Sequence, residues 1–444
     1  MSDELLERCR EGCEVARRLG ATDAEIYAQH SEEVSVSIEK HDLQIARSSC
    51  ESAFGVRVLV GDRLGFASTN APRDLAAVCR DALALAKAAP GDPHNRLPEP
   101  QDTPQIPDLL DETPGVFAAQ DAVERAADML RVAESIDRRL IVGDGAFSSA
   151  RLARAVANTR GVAAGEVASL FSHHVLVTAK EDERVSSMDF QSGASRRRRD
   201  IDVTPTVTLA CQNALDSLGS APGETFQGVV ILSPSAVLDL VVAPLLFHAN
   251  ARNALRGLSR WRDDVGHAVA SPALSMVDDG TVSGGVSSSA FDREGVPHAP
   301  LALIDRGRFA SFLHNAYSSS AFGVPNTGHG AGAADTLPMI GPTNLSIAPG
   351  TVRREDQVAD TERGLLVGRF SGNVDPISGD FSGVAKAAHL VRRGRRVSSV
   401  SGTLIAGNVF ETLQAIIDVS SETQQIYGLT LPYVRLGGVS VTAG

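Results

Sequence analysis

The chain has 444 residues, 43% of them hydrophobic and 22% charged, with a net charge of −12 and a pI near 5.4. That length exceeds what one hydrophobic core organises, so two or three domains are expected. The acidic balance argues against a general binder of nucleic acid or membrane surfaces, and no uninterrupted apolar run reaches the roughly 18 residues of a spanning helix.

Five cysteines, Cys9, Cys13, Cys50, Cys79 and Cys211, are odd in number and absent after position 211. So few in a large chain fit a reducing, cytoplasmic setting without disulfides. The opening Met1-Ser2-Asp3-Glu4 is acidic and does not read as a secretory signal.

In chain order, residues 3–19 place Leu6, Cys9, Cys13, Ala16 and Leu19 on one helical face. Cys9 and Cys13 are four apart; with apolar neighbours and no further ligand nearby, buried packing is favoured over metal binding. Val34, Val36 and Ile38 alternate with polar residues as a strand. The segments 53–60 and 64–68 flank Gly61-Asp62 as a hairpin. Residues 73–89 return to helical periodicity, giving an α+β unit over 1–90. The Pro-rich stretch 91–115 reads as a linker or long loop.

A middle α+β unit spans 116–222, with a helix over about 117–135 and strands near 140–148, 153–159 and 165–180. In it, His173 and His174 adjoin in a strand pattern and point to opposite faces. The run Arg196 to Arg199 lacks interleaved aromatics and reads as a solvated loop or partner-facing edge rather than a nucleic-acid site.

From 223 to 444 the pattern is that of a β-rich domain. Gly228–Leu232 is a short strand, Pro234–Trp261 reads as one long helix capped by Ser233 or Ser235, and short β-like runs follow at 301–304, 364–370, 388–392 and 402–405. The fold class expected is therefore α+β: N-terminal units with antiparallel strands, then a β-rich C-terminal domain containing one long helix.

Several strings in this last domain occur in a specific order: Phe291-Asp292-Arg293-Glu294-Gly295-Val296, Leu303-Ile304-Asp305-Arg306-Gly307, Leu313-His314-Asn315-Ala316-Tyr317-Ser318, Ser371-Gly372-Asn373-Val374-Asp375, Ser378-Gly379-Asp380-Phe381-Ser382 and Leu404-Ile405-Ala406-Gly407-Asn408. In this order the chain resembles the TldD/PmbA family, historically called modulators of DNA gyrase, over nearly its whole length. The resemblance implies a heterodimer in which a TldD-like subunit is a zinc peptidase carrying H-E-x-x-x-H and a later cysteine ligand. The TldE- or PmbA-like subunit lacks that metal site.

At the matching place this chain reads His248, Ala249 and Asn253, with no cysteine downstream of Cys211. Alanine moves no protons, and one imidazole does not hold zinc usefully. The resemblance therefore implies a non-catalytic PmbA/TldE-like partner in proteolysis of unfolded peptides or peptide precursors. No cofactor is expected on this chain, zinc is expected on a TldD-like partner, and a homodimer is expected where that partner is missing.

Asp292 and Glu294 share one face of an extended segment, either a polar wall of a substrate chamber or, slightly preferred, a solvated strand edge. His314, Asn315 and Tyr317 either contact the main chain of an extended peptide or organise a loop. Two other functions stay open: a homodimeric hydrolase with an atypical site using His248, Asp292 or Glu294, and a natural-product pathway homologue that binds a peptide or amide intermediate. No G-x-S-x-G elbow or phosphate-binding loop is present.

Overall fold

The computed structural model describes residues 1–71 and 75–444. The α+β class holds. Helix α1 (Ser2–Arg18) precedes three antiparallel strands, β1 (Asp23–Glu39), β2 (Asp42–Val60) and β3 (Arg63–Thr69), and helix α2 (Leu75–Ala88) follows. The expected start of α2 at Arg73 and Asp74 lies outside the described residues. Gly61 and Asp62 form the two-residue turn between β2 and β3, with Gly61 at φ 64° where a side chain would be strained.

After the Pro-rich segment come α3 (Ala119–Ile136), β4 (Leu140–Asn158), β5 (Ala163–Glu181) and α4 (Thr204–Leu218). The separate strands expected at 140–148 and 153–159 are one continuous β4. It pairs with β1 along its length, so the first two units share one sheet in the order β3-β2-β1-β4-β5. Small and β-branched residues on alternate positions make this possible: one face of the sheet packs on α1 and α2 through Cys9, Cys13, Ile26, Phe54, Val56 and Cys79. The same face continues onto α3 and α4 through Ile38, Met129, Phe147, Phe171 and Cys211. The buried thiols of Cys9 and Cys13 donate to the carbonyls of Ala155 and Ala157, which settles them as packing residues.

The C-terminal domain is one large mixed sheet. Its long strand Leu429–Thr442 pairs with 226–232, 404–408 and 416–426, and strand 226–232 runs parallel to 363–367. The stretch expected as one strand over 364–370 is two, 363–367 and 369–374, separated at Gly368. A core around Trp261, Phe309, Phe312 and Leu431 lies beneath it.

The long helix expected over Pro234–Trp261 is instead broken. A turn at 234–237, entered through Ser233 as its cap, runs into a π-helical segment 238–242, then helix 243–249 and a short helix 251–255. The break falls at Asn250, whose backbone is extended and whose side chain accepts from the Arg252 N–H. An Asx cap offers the backbone an alternative to a continuing helix, which 3.6-residue periodicity does not register. Among the described residues, no helix is long and apolar enough to cross a membrane.

Candidate functional site

His248 sits on the last turn of helix 243–249 and is 1% exposed. Its ring is packed between Phe247, Trp261 and Phe410. Nδ1 accepts the Arg260 N–H at 3.1 Å, and its own carbonyl accepts from Ser259. Burial pushes the imidazole down to about 4, so it is neutral at pH 7. Ala249 is buried and carries no base. Asn253 Nδ2 donates to the Phe247 carbonyl at 2.9 Å, closing the helix break. These residues do not fit a zinc ion: with Nδ1 accepting a backbone N–H, the neutral imidazole carries its proton on Nε2 and offers no free lone pair, and the amide at 253 is spent on the backbone. Among the described residues, no three His, Cys, Asp or Glu side chains come together as a metal-binding group.

The Phe291–Val296 segment does something different from either expectation for it. It is a tight turn, with Gly295 at φ 82°, driven into the uncovered face of the N-terminal sheet. Asp292 and Glu294 are 1% and 0% exposed, so the solvated-edge expectation is overturned. Asp292 accepts the N–H groups of Glu294, Val296 and Gly330. Burial and the neighbouring Glu294 push its carboxyl up against those three donors. Glu294 forms an ion pair with Arg57 of β2, Oε1 lying 2.7 Å from Nη1, and accepts the Ala316 N–H at 2.7 Å.

Arg57 also holds Glu25 of β1 at 2.6 Å, and Glu25 holds Arg293 at 3.0 Å. Four buried charges thus alternate across the junction, Arg293–Glu25–Arg57–Glu294, with the Arg293 guanidinium 4.1 Å from the Tyr27 ring centroid. Burial alone would lower the Arg57 value; Glu25 and Glu294 outweigh it and hold the guanidinium above its ordinary range.

Asn315 is the N-cap of helix 316–322, accepting from Ser318 N–H in a capping box. His314 is buried beside Ser318, with burial pushing it down to about 4. The Tyr317 hydroxyl donates to Asp92 at 2.9 Å. Asp292, Glu294 and Asn315 therefore cluster at one junction, while His248 has a separate set of neighbours.

A cleft of about 1180 Å3 opens between the N-terminal sheet and the loops 287–289 and 333–335. None of the five chamber residues expected from sequence lines it; Gln29, Ser52, Arg154, Glu166, Arg196 and Ser289 do. Arg154 bonds Glu166 at 2.7 Å and the Phe291 carbonyl at 2.6 Å, and Ser289 donates to Glu166. Arg196 is buried and donates to the carbonyls of Ser169, Gly285 and Ser288, and Arg198 is forked onto Asp121. Arg196 and Arg198 are therefore internal struts, while Arg199 is exposed, so the expectation of a solvated loop or partner-facing edge fails for the first part of the run and holds at its end. The sequence signal missed was the pairing of isolated acids and arginines far apart along the chain, invisible without the sheet register.

The description "PmbA/TldA metallopeptidase C-terminal domain" matches residues 225–443, with domain 1 matching 24–86 and the central domain 112–218. "Metalloprotease PmbA" of Escherichia coli O157:H7 is 25% identical over 435 residues, covering 94% of this chain and 92% of that protein. A "Metalloprotease TldD homolog" of Haemophilus influenzae is 27% identical over 211 residues, covering 45% and 44%. The crystal structure of TldE from Thermococcus kodakarensis superposes with a TM-score of 0.90 at 23% identity, over 98% of this chain and all of that one (100%). With all three domains matched in order, this chain belongs to the PmbA/TldD family of metallopeptidase-like proteins.

Proposed function

We propose that the chain is the non-catalytic, PmbA/TldE-like subunit of a heterodimeric zinc metallopeptidase acting on unfolded peptides or peptide precursors. The observation that carries this is the state of residues 248–253. The histidine is caged by aromatic rings, the general-base position is alanine, and the second ligand position is an asparagine that repairs the backbone. The domain around them is kept fully packed. The PmbA relative aligns along 94% of the chain and the TldD homologue along 45%, which agrees with that branch.

On this proposal a TldD-like partner supplies zinc and the general base, and this chain contributes a wall of the peptide path. β3 ends at Thr69 opposite Phe54, so β2 from about residue 43 to 53 has β1 on one side and, among the described residues, no strand on the other. That edge borders the cleft at Cys50–Ala53. Unpaired main-chain groups on alternate residues suit an extended peptide added as a strand, with little demand on its side chains. Co-expression with a TldD-like chain, gel filtration and metal analysis test the assembly: a stable complex with zinc, from which this chain separates metal-free, is expected. Stoichiometric zinc on the separated chain would overturn it.

A further inference from the structure

Cys50 is the exposed cysteine; Cys9, Cys13, Cys79 and Cys211 are buried, and burial pushes Cys13 up to about 12 and both Cys79 and Cys211 to about 11. Cys50 lines the cleft beside His30 and Ser52. Register explains the grouping: on the paired strands His30 faces Ser52 and Glu32 faces Cys50, so all four side chains share one face at the free end of β2. His30 Nδ1 lies 2.8 Å from Ser52 Oγ, and Nε2 lies 3.9 Å from Cys50 Sγ. With Nδ1 donating to the serine, Nε2 is left as an acceptor aimed at the thiol. Glu32 Oε1 is 3.6 Å from the same nitrogen, placed to compensate an imidazolium. A thiol, a base beside it and a hydroxyl that orients the base, all opening on a cleft, is the arrangement of an activated sulfur nucleophile.

We propose that Cys50, with His30 as its proton acceptor, is a thiol–disulfide exchange site that takes small disulfides at the rim of the cleft. The Cys50 thiolate attacks one sulfur of the incoming disulfide. One S–S bond breaks and one forms, and the proton held by His30 passes to the departing thiolate, so the incoming disulfide is the only oxidant required. This site rests on the cleft geometry alone and needs no partner subunit or peptidase activity.

The test uses the intact chain and oxidised glutathione at neutral pH, with adduct formation followed by mass spectrometry. The expected result is one glutathione per chain, on Cys50, formed about tenfold faster than on an unstructured cysteine peptide. His30→Gln brings the rate down to that of the peptide, His30→Asn does the same while keeping a hydrogen-bonding group for Ser52, and Cys50→Ser gives no adduct. A Cys50 rate equal to that of the peptide, or one unchanged in both His30 variants, overturns the proposal.

Discussion

Removing Glu25 is the perturbation that most sharply tests how the two halves of the molecule are joined. Glu25 is wholly buried and holds both Arg57 and Arg293, which are 6% and 2% exposed. In Glu25→Ala, Arg57 keeps Glu294, but Arg293 retains only the Tyr27 ring and a long contact to the Thr336 carbonyl. One buried positive charge is left without compensation, at a cost of about 3–5 kcal/mol. That is a large fraction of the roughly 5–15 kcal/mol that holds a typical domain folded.

Urea unfolding followed by far-UV circular dichroism reports the whole chain, and the fluorescence of Trp261, the single tryptophan, reports the C-terminal core. Both should shift, because the broken contact joins the N-terminal sheet to the C-terminal domain. Adding Arg293→Met removes the stranded charge and leaves the Arg57–Glu294 pair neutral. The double variant should therefore lose at least about 2 kcal/mol less than the sum of the two singles. A Glu25→Ala loss under about 1 kcal/mol, or strict additivity, would refute the alternating-charge account.

Gly55 lies where an added Cβ would meet the Ala334 carbonyl oxygen at 2.2 Å, so Gly55→Ala should cost about 1–3 kcal/mol in a urea melt, against no change if the loop yields freely. Burial lowers His173 to about 4, His314 to about 4 and His298 to about 3, from 6.5. The unfolded chain thus takes up protons near pH 6.5 that the folded one refuses. Stability is full above that pH and falls from about 6.5 towards 4, by up to about 1.4 kcal/mol per pH unit for each desolvated imidazole. Thermal melts unchanged between pH 7 and 5 would contradict this. Restoring the motif with Ala249→Glu and Asn253→His should yield no chelator-sensitive peptidase. It should also destabilise the chain by a few kcal/mol, because the new carboxylate enters a site that is 2% exposed; metal analysis and a peptide assay check it.

Local structure was largely legible because it is written in short-range pattern. The apolar stripe of residues 3–19 became α1, and Gly61-Asp62 became the turn between β2 and β3. The ordered C-terminal strings carried the family. The legible part of the candidate site was the substitution at Ala249 and Asn253, a matter of residue chemistry alone. What failed depended on partners distant in sequence. Asp292 and Glu294 looked like a polar edge, and only the docking of their turn on β1 and β2 buries them against Arg57 and neighbouring backbone. Arg196 looked solvated until the carbonyls of Ser169, Gly285 and Ser288 surrounded it. The helix break at Asn250 was missed because apolar spacing continues through it, while the cap that ends the helix is a side-chain bond. The cleft had no sequence signature, since it lies where β3 happens to stop short of the end of β2.

The central claim is that the chemistry lies on another chain. Its most direct measurement is cleavage of an unfolded peptide by three samples: this chain alone, a TldD-like partner alone, and the two together, each with and without a chelator. The account predicts no turnover from this chain alone and chelator-sensitive turnover when the two are combined. Robust, chelator-sensitive cleavage by this chain alone would contradict it.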